Sequence, residues 1–457
     1  MRTLILTNHL SQFGGSEIVA LEAADEFRNA GCQVTIVSGY IDQPVKSELQ
    51  NMGIPFLLVD EFHNRDGFDI IWSQHHLLSY LISKWGSDII SNSYIVSVSL
   101  SAFHPLEVPG AVADVADIIL ANSPETARKL TEFGIHPDRV KVFYNAAPNS
   151  FLRECNPSET LKKLLIISNH APPEVLDASA ILHSRNISVD HIGKPYNQAR
   201  ITPATIGNYD ALLTIGKSVQ YAILSGIPVY IYDHFGGPGW LSLNNSHDAE
   251  DFNFSGRCCN RILSGRDIAD EITDGYSAAL EAIQVIKDRV SSKYLLHNYV
   301  SEVLSLAKQR VQRSIPQDMS SLLRREGATC GELVNHLRLT YQQSNLIKHL
   351  EATIADMESA RTSQLDEIEH KSRTLDELSD KFSALESEHT LLRDTYKTAV
   401  RSLRAEAGTM ADDITRLSRA LTAAQHDLDL VLKSTSWKIT KPLRALKQTL
   451  SNLRGFS

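Results

Sequence analysis

Residues 209–233 read YDALLTIGKSVQYAILSGIPVYIYD, and the fold is decided here. YDALLTIG (209–216) and PVYIYD (228–233) are continuous apolar runs, the pattern of strands covered on both faces, and VQYAILSG (219–226) is the helix between them. Strand, helix, strand is the repeating unit of a parallel α/β sheet. KLLIISN (163–169) and ISVDHIG (187–193) precede it with the same character. Upstream, RTLILTN (2–8), QVTIVSG (33–39), FDIIWSQ (68–74), YIVSVSL (94–100), ADIILAN (116–122) and RVKVFYN (139–145) repeat the theme. Ile18, Val19, Leu21, Ala24 and Phe27 recur at helical spacing between the first two, and Gly31 stops that helix. The polar segment CNPSETLKK (155–163) divides the two series, so the expected fold class is α/β with two Rossmann-like domains, residues 1–155 and 156–315. Helical residues 277–312 close the second series with Leu280, Ile283, Ile286, Val303 and Leu306 on a docking face. Two such domains in tandem leave a cleft, a usual place for a ligand.

After a linker expected at 316–339, glycine and proline nearly vanish. Leu375, Leu378, Phe382, Leu385, His389, Leu392, Tyr396, Ala399 and Leu403 alternate spacings of three and four, and Ile414, Leu417, Leu421, Ala424, Leu428 and Val431 resume the seam beyond Gly408 with an offset of four. That is a heptad pattern with a stutter. Residues 340–432 therefore read as a coiled coil for self-association; the alternative is a long helix folded back on the body. The remaining 433–457 carry Lys433, Lys438, Lys441, Arg444, Lys447 and Arg454 and no acid, with Leu443, Leu446, Leu450 and Leu453 at helical spacing. This basic amphipathic tail suits an anionic membrane surface, or else is a solvated tail or a helix for a partner.

The net charge of −9 argues against nucleic acid as a partner, since that binding demands a basic excess. With 42 % hydrophobic and 22 % charged residues the chain has ample core, and it has no apolar run long enough to span a bilayer. Cys32, Cys155, Cys258, Cys259 and Cys330 are an odd number spread along the chain, and MRTLILTNHL opens without a leader pattern. The expected compartment is the cytoplasm, peripheral on the inner face of its membrane if the tail binds there.

Four segments carry candidate chemistry. Gly14 and Gly15, with Glu17, lie between the first strand and helix, where glycines admit a close ligand and a helix N-terminus attracts an anion. The other reading is a tight turn with Ser16 as N-cap. Gly216, Lys217 and Ser218 occupy the same kind of junction in the second domain, either around a diphosphate or as an ordinary cap with a solvated lysine. The P-loop spacing fails, because Ala211 stands five positions before Gly216. DHFGGPGW (233–240) follows a strand, so Asp233, Gly236 and Gly237 belong to a rigid loop at a sheet's ligand-binding end, its aromatic groups placed to stack on a sugar or base. His75 and His76 end one strand and His104 follows another; each is a site candidate or a hydrogen-bonded structural histidine. No metal-ligand spacing stands out and Cys258-Cys259 is adjacent, so no metal and no cofactor is expected.

These segments add up to a resemblance. GGSE (14–17), ADIILANSPETARKLTEFGIHPDRVKVFYNA (116–146) and SVQYAILSGIPVYIYD (218–233) resemble the GT-B glycosyltransferases of the family-4 type over about residues 1–315. Gly14, Gly15, Glu17, Ser123, Asn145, Gly226, Pro228 and Val229 fall on the family's motif positions. The family's two glutamates fall on Leu213 and Tyr221, so both carboxylates are missing. DHFGGPGW resembles a mark of a divergent bacterial polysaccharide subgroup, and STSWKITKPLR (434–444) is similar to tails of coiled-coil surface-polysaccharide enzymes. The resemblance implies a retaining transferase with a nucleotide-sugar donor in the second domain and a glycan acceptor in the first. It implies that Lys217 and Ser218 face the donor diphosphate and that His104 contacts the sugar from the opposite domain, while Asn145, on a motif position, and His76, at a strand's ligand-facing end, are substrate-binding candidates. Two rivals remain. One is an inactive GT-B scaffold for a membrane-bound polysaccharide assembly; the other is a nucleotide-sugar epimerase, which needs an acid/base set in the cleft.

Overall fold

The protein, described from a computed structural model, is defined at residues 1–63, 67–194, 198–383 and 390–433. Its first half contains seven parallel strands: β1 (Arg2–Leu10), β2 (Gln33–Ile41), β3 (Phe56–Leu58), β4 (Ile70–Gln74), β5 (Tyr94–Ser99), β6 (Ile118–Ala121) and β7 (Val140–Val142), ordered 3-2-1-4-5-6-7. Helices α1 (Gly15–Asn29), α2 (Val45–Met52), α3 (Leu77–Trp85), α4 (Asp88–Ser91), α5 (Val112–Val115) and α6 (Pro124–Glu132) connect them. The second sheet holds β8 (Lys163–Ile167), β9 (Ser188–Ile192), β10 (Ala211–Thr214), β11 (Val229–Asp233) and β12 (Gly236–Trp240), ordered 12-11-10-8-9, with only β12 antiparallel. Around it lie α7 (Pro173–Ser184), α8 (Pro203–Ile206), α9 (Lys217–Ser225), α10 (Ser246–Asp251) and α11 (Gly265–Val290). These are two Rossmann-like halves, each a largely parallel sheet covered by helices, followed by long helices.

The apolar runs are unbroken because both faces of each sheet are covered. Ile5 joins the core beside Phe27 and Trp72, while its neighbours Leu4 and Leu6 join the core beside Leu78 and Leu81. Leu165 and Leu212 likewise face one side of the second sheet, and Leu164, Ile166 and Leu213 the other. Each such side chain stabilises the fold by about 1.5–3 kcal/mol through removal from water.

The chain crosses between halves twice at one place. Leu296 N–H donates to Ala147 O (2.9 Å), and Ala147 N–H to Tyr294 O (2.7 Å). Helix α12 (Leu296–Lys308) then packs Leu296, Tyr299, Val300 and Val303 into the core of the first half. Helix α13 (Gln317–Ser383) follows. Most of the stretch 316–339 is thus helix rather than linker, and Leu323, Cys330 and Val334 are buried against the first half. Gly327 completes their spacing of four, three and four. A Cβ on Gly327 would lie 2.0 Å from Ser79 O, and one on Gly331 2.5 Å from the Tyr80 ring, so glycine is what permits α13 to lie this close to α3.

Beyond Val334 the described residues form a separate unit containing the rest of α13 and α14 (Thr390–Lys433), which runs unbroken through Gly408. Leu346, Leu365 and Leu430 are about half exposed there. No helix among the described residues is long and apolar enough to cross a membrane. The basic tail 434–457 lies outside the described residues.

Candidate functional site

The carboxyl ends of both sheets open into one cavity of about 800 Å³. Ligand crevices of open α/β sheets lie where the strand order reverses. Those points fall between β1 and β4 in the first sheet and between β8 and β10 in the second. His9 and His75 line the cavity from the first pair, Ser168 and Gly216 from the second.

Two helices begin at this cavity. Gly216 precedes α9 with φ 57° and ψ −136°, a conformation that disfavours any side chain, and no side chain caps the helix. The first N–H groups of α9 and the Ser218 hydroxyl are therefore available to an anion. Across the cavity Gly14 is the N-cap of α1, also without a side-chain cap. Ser16, one reading of which made it the cap, instead donates its hydroxyl to Glu17 Oε2 (3.1 Å). A Cβ on Gly14 would lie 2.6 Å from that oxygen.

Lys217 lines the cavity, but its ammonium is held by protein acceptors. Its Nζ lies 2.7 Å from Glu22 Oε2, 2.7 Å from Ala146 O and 3.1 Å from Asn145 O, three acceptors for three protons. Burial pushes its pKa down against the opposing pull of Glu22. Tyr221 donates its hydroxyl to the other Glu22 oxygen and stacks on Phe151 with ring centres 3.9 Å apart. The placement of Lys217 on a donor diphosphate is corrected accordingly: with a carboxylate and two carbonyls buried beside it, the ammonium bridges the two halves. Glu22 stands next to Tyr221, the position where the family's second glutamate was missing.

A network of histidines and carboxylates forms the wall beside Gly14. His75 has φ 59°, unusual for a residue with a Cβ, and that backbone aims its ring inward. Asn8 N–H donates to its Nδ1 (3.3 Å), so its Nε2 carries the proton toward Glu107 Oε1 (3.3 Å). Glu107 also accepts from Leu100 N–H (2.8 Å). His9 stacks on His75 at 5.7 Å and places Nε2 3.5 Å from Glu17 Oε1. Burial, aided by the neighbouring His75 and His104, lowers the His9 pKa to about 3. Glu17, 2 % exposed, has its carboxyl raised to about 7 by burial, with Ser16 opposing the shift.

The remaining candidates divide. His104 is exposed, lines the cavity and accepts Leu106 N–H on Nδ1 (3.2 Å). Asn145 lines it too, with φ 50° and its Nδ2 donating to Asn253 Oδ1 (2.9 Å) across the halves. His76 does not line this cavity; it lies beside Glu326 and Cys330 of α13. Asp233 reaches the wall, but its carboxylate accepts from Ser255 Oγ (2.7 Å), Gly256 N–H (3.2 Å) and Phe235 N–H (2.7 Å), a holding role. The expected rigid loop at 233–240 is instead a hairpin. Gly236 and Gly237 form β12 because a Cβ there would lie 2.0 Å from Arg261 O or Ile231 O. Trp240 donates to Glu271 O (3.0 Å) between Tyr230 and Tyr276 and does not line the cavity.

Sequence reasoning passed over His9, Glu22 and Glu107. The signal for His9 was polar residues at the carboxyl end of an apolar strand; for Glu22 it was an acid on the apolar face of α1, beside Leu21 and Ala23.

No family model and no curated protein matches the chain. Among solved structures it is similar to HepE of Anabaena in complex with UDP and glucose, at 15 % identity and TM-score 0.45 over 68 % of this chain and 100 % of that one. It is similar to a glycosyltransferase from Rickettsia africae (14 %, TM-score 0.43, 68 % and 99 %). A third is the UDP-GlcNAc 2-epimerase from Neisseria meningitidis bound to UDP-GlcNAc (9 %, TM-score 0.42, 68 % and 100 %).

Proposed function

We propose that this protein is a glycosyltransferase that moves a sugar from a nucleotide-sugar donor to a glycan acceptor of a bacterial surface polysaccharide or lipid-linked chain. The observation that carries the reading is the pair of uncapped helix N-termini opening onto one cavity, α9 from the donor half and α1 from the acceptor half. Transfer breaks the bond between anomeric carbon and diphosphate oxygen and forms one to an acceptor hydroxyl. Negative charge grows on the leaving diphosphate, and the N–H groups of α9 with the Ser218 hydroxyl stabilise it without a metal. Lys217 acts through position, holding α9 against Glu22. The acceptor hydroxyl must lose a proton, and Glu17, titrating about 7 beside Gly14 and Gly15, is the base in reach. His104 contacts the sugar, and retention at the anomeric carbon is the outcome the family-4 motifs support.

Self-association through 340–432 is supported by the heptad seam from Leu375 to Val431, and the tail 433–457 would bring the assembly to an anionic membrane. Incubation with a panel of nucleotide sugars and membrane-derived acceptor, following nucleoside diphosphate release, tests the activity. Release lowered about 10²-fold or more by Glu17→Gln, with residual turnover left to measure, supports transfer. Donor binding without release across the panel would instead favour the scaffold reading, and interconversion of the donor sugar the epimerase.

A further inference from the structure

The left-handed backbone at His75 separates two adjacent imidazoles, His75 toward the cavity and His76 toward the seam between α3 and the first turns of α13. There the chain brings a nitrogen, an oxygen and a sulfur donor together from positions 250 residues apart. The ligand atoms of His76, Glu326 and Cys330 all lie within 4.8 Å of one another. Glu326 and Cys330 are one helical turn apart on α13 and so share a face. Cys330 is buried; the other two are partly open.

We propose that these three side chains form a binding site for one zinc-class divalent cation, with water as the fourth ligand. Each group is already oriented in the way metal ligands are. His76 is hydrogen-bonded to the Pro105 carbonyl, which leaves its second ring nitrogen free to ligate. Glu326 Oε2 accepts Ala111 N–H (2.8 Å) and the Ser79 hydroxyl (3.3 Å), which leaves Oε1. A Cβ on Gly110 would stand 2.0 Å from that Oε1 and 3.3 Å from His76 Nδ1, so a residue without a side chain leaves room between two ligands. A cavity of about 20 Å³ lined by His76, Ser79 and Gly110, though by neither Glu326 nor Cys330, has room for one water on the His76 side. A thiolate, an imidazole and a carboxylate select zinc over magnesium or calcium, which take oxygen donors. Binding would release the Cys330 thiol proton to solvent and form the metal–sulfur bond in its place. The ion would then clamp the opening turns of α13 to α3, where Gly327 and Gly331 already allow close contact.

Full-length protein stripped with chelator and titrated with cobalt(II) tests this, since a thiolate ligand gives a near-ultraviolet charge-transfer band that imidazole and carboxylate do not. One equivalent of cobalt with that band, displaced by one equivalent of zinc, is expected. Cys330→Ser should abolish the band and weaken zinc binding at least tenfold; Ser79→Ala should keep the band and weaken binding about 10–100-fold through the loosened carboxylate. Near-ultraviolet circular dichroism of the metal-free forms checks folding. Glu326→Gln is the second variant, and it too must lose stoichiometric zinc. A folded wild-type chain that takes up no stoichiometric cobalt, or a band that survives in Cys330→Ser, would overturn the proposal.

Discussion

Replacing Lys217 by methionine separates a structural role from a direct one. The ammonium is 9 % exposed and surrounded by Glu22 Oε2 at 2.7 Å and two carbonyls, and Glu22 is 2 % exposed. Lys217→Met keeps the side-chain volume and leaves a buried carboxylate without its partner, a defect that costs about 3–5 kcal/mol. With an m-value of about 3 kcal/mol/M in urea, the midpoint should fall by about 1–2 M. Glu22→Gln removes the stranded charge, and an apolar or neutral replacement of a buried ion pair is close to neutral overall. Lys217→Met combined with Glu22→Gln should therefore recover most of the loss, a coupling measured by the double-mutant cycle. Urea unfolding followed by tryptophan fluorescence reads it. If Lys217→Met unfolds at the wild-type midpoint while nucleoside diphosphate binding falls tenfold or more, the ammonium faces the donor after all and the bridging role is refuted.

Three further expectations follow from the same geometry. Glu17, raised from 4.5 to about 7, gives the folded chain the extra proton, so its favourable contribution is full below pH 4.5 and lost as pH rises to about 7. Glu17→Gln should flatten that slope in urea titrations between pH 5 and 8 and remove the acid limb of turnover near pH 7; an unchanged acid limb would exclude Glu17 as the base. Gly216→Ala meets only ordinary van der Waals contact with Asn253 Nδ2 at 3.7 Å, so its main cost is the φ of 57°, about 1–3 kcal/mol, and calorimetry should show weaker diphosphate binding. Gly327→Ala drives a Cβ to 2.0 Å from Ser79 O, and the expected loss of about 1–3 kcal/mol exceeds the gain of about 1 kcal/mol in helix propensity, which thermal unfolding would register.

The strands were legible because burial on the sheet faces selects runs dominated by apolar residues, with polar ones such as Thr3, Ser38 and Ser73 interspersed; all ten expected strands from Arg2 to Asp233 are present. Two were not legible. β3 spans only Phe56–Leu58, and β12 is GGPGW, whose glycines read as loop until the clash with Arg261 and Ile231 carbonyls shows why a strand needs them. Gly327 and Gly331 follow the same logic, since glycine weakens an isolated helix but allows a packed one to approach its neighbour. At the site, Gly14, Gly15, Gly216 and Ser218 could be placed because a strand followed by a glycine and a helix puts N–H groups at a sheet's end. Lys217 could not: whether an ammonium points into a cleft or into a domain seam depends on Glu22, nearly two hundred residues away. His76 escaped for the same reason, its neighbours Glu326 and Cys330 having no spacing relation to it.

The central claim is that the N-terminus of α9 receives the diphosphate of a nucleotide-activated sugar. Isothermal titration of the full-length chain with uridine, guanosine and adenosine diphosphates and their sugar conjugates tests it most directly, with Ser218→Asp placing a repelling carboxylate at that helix end. One nucleotide series should bind one to one, and Ser218→Asp should abolish this binding without lowering stability. Absence of binding by the whole panel, or equal affinity in Ser218→Asp, would contradict that claim.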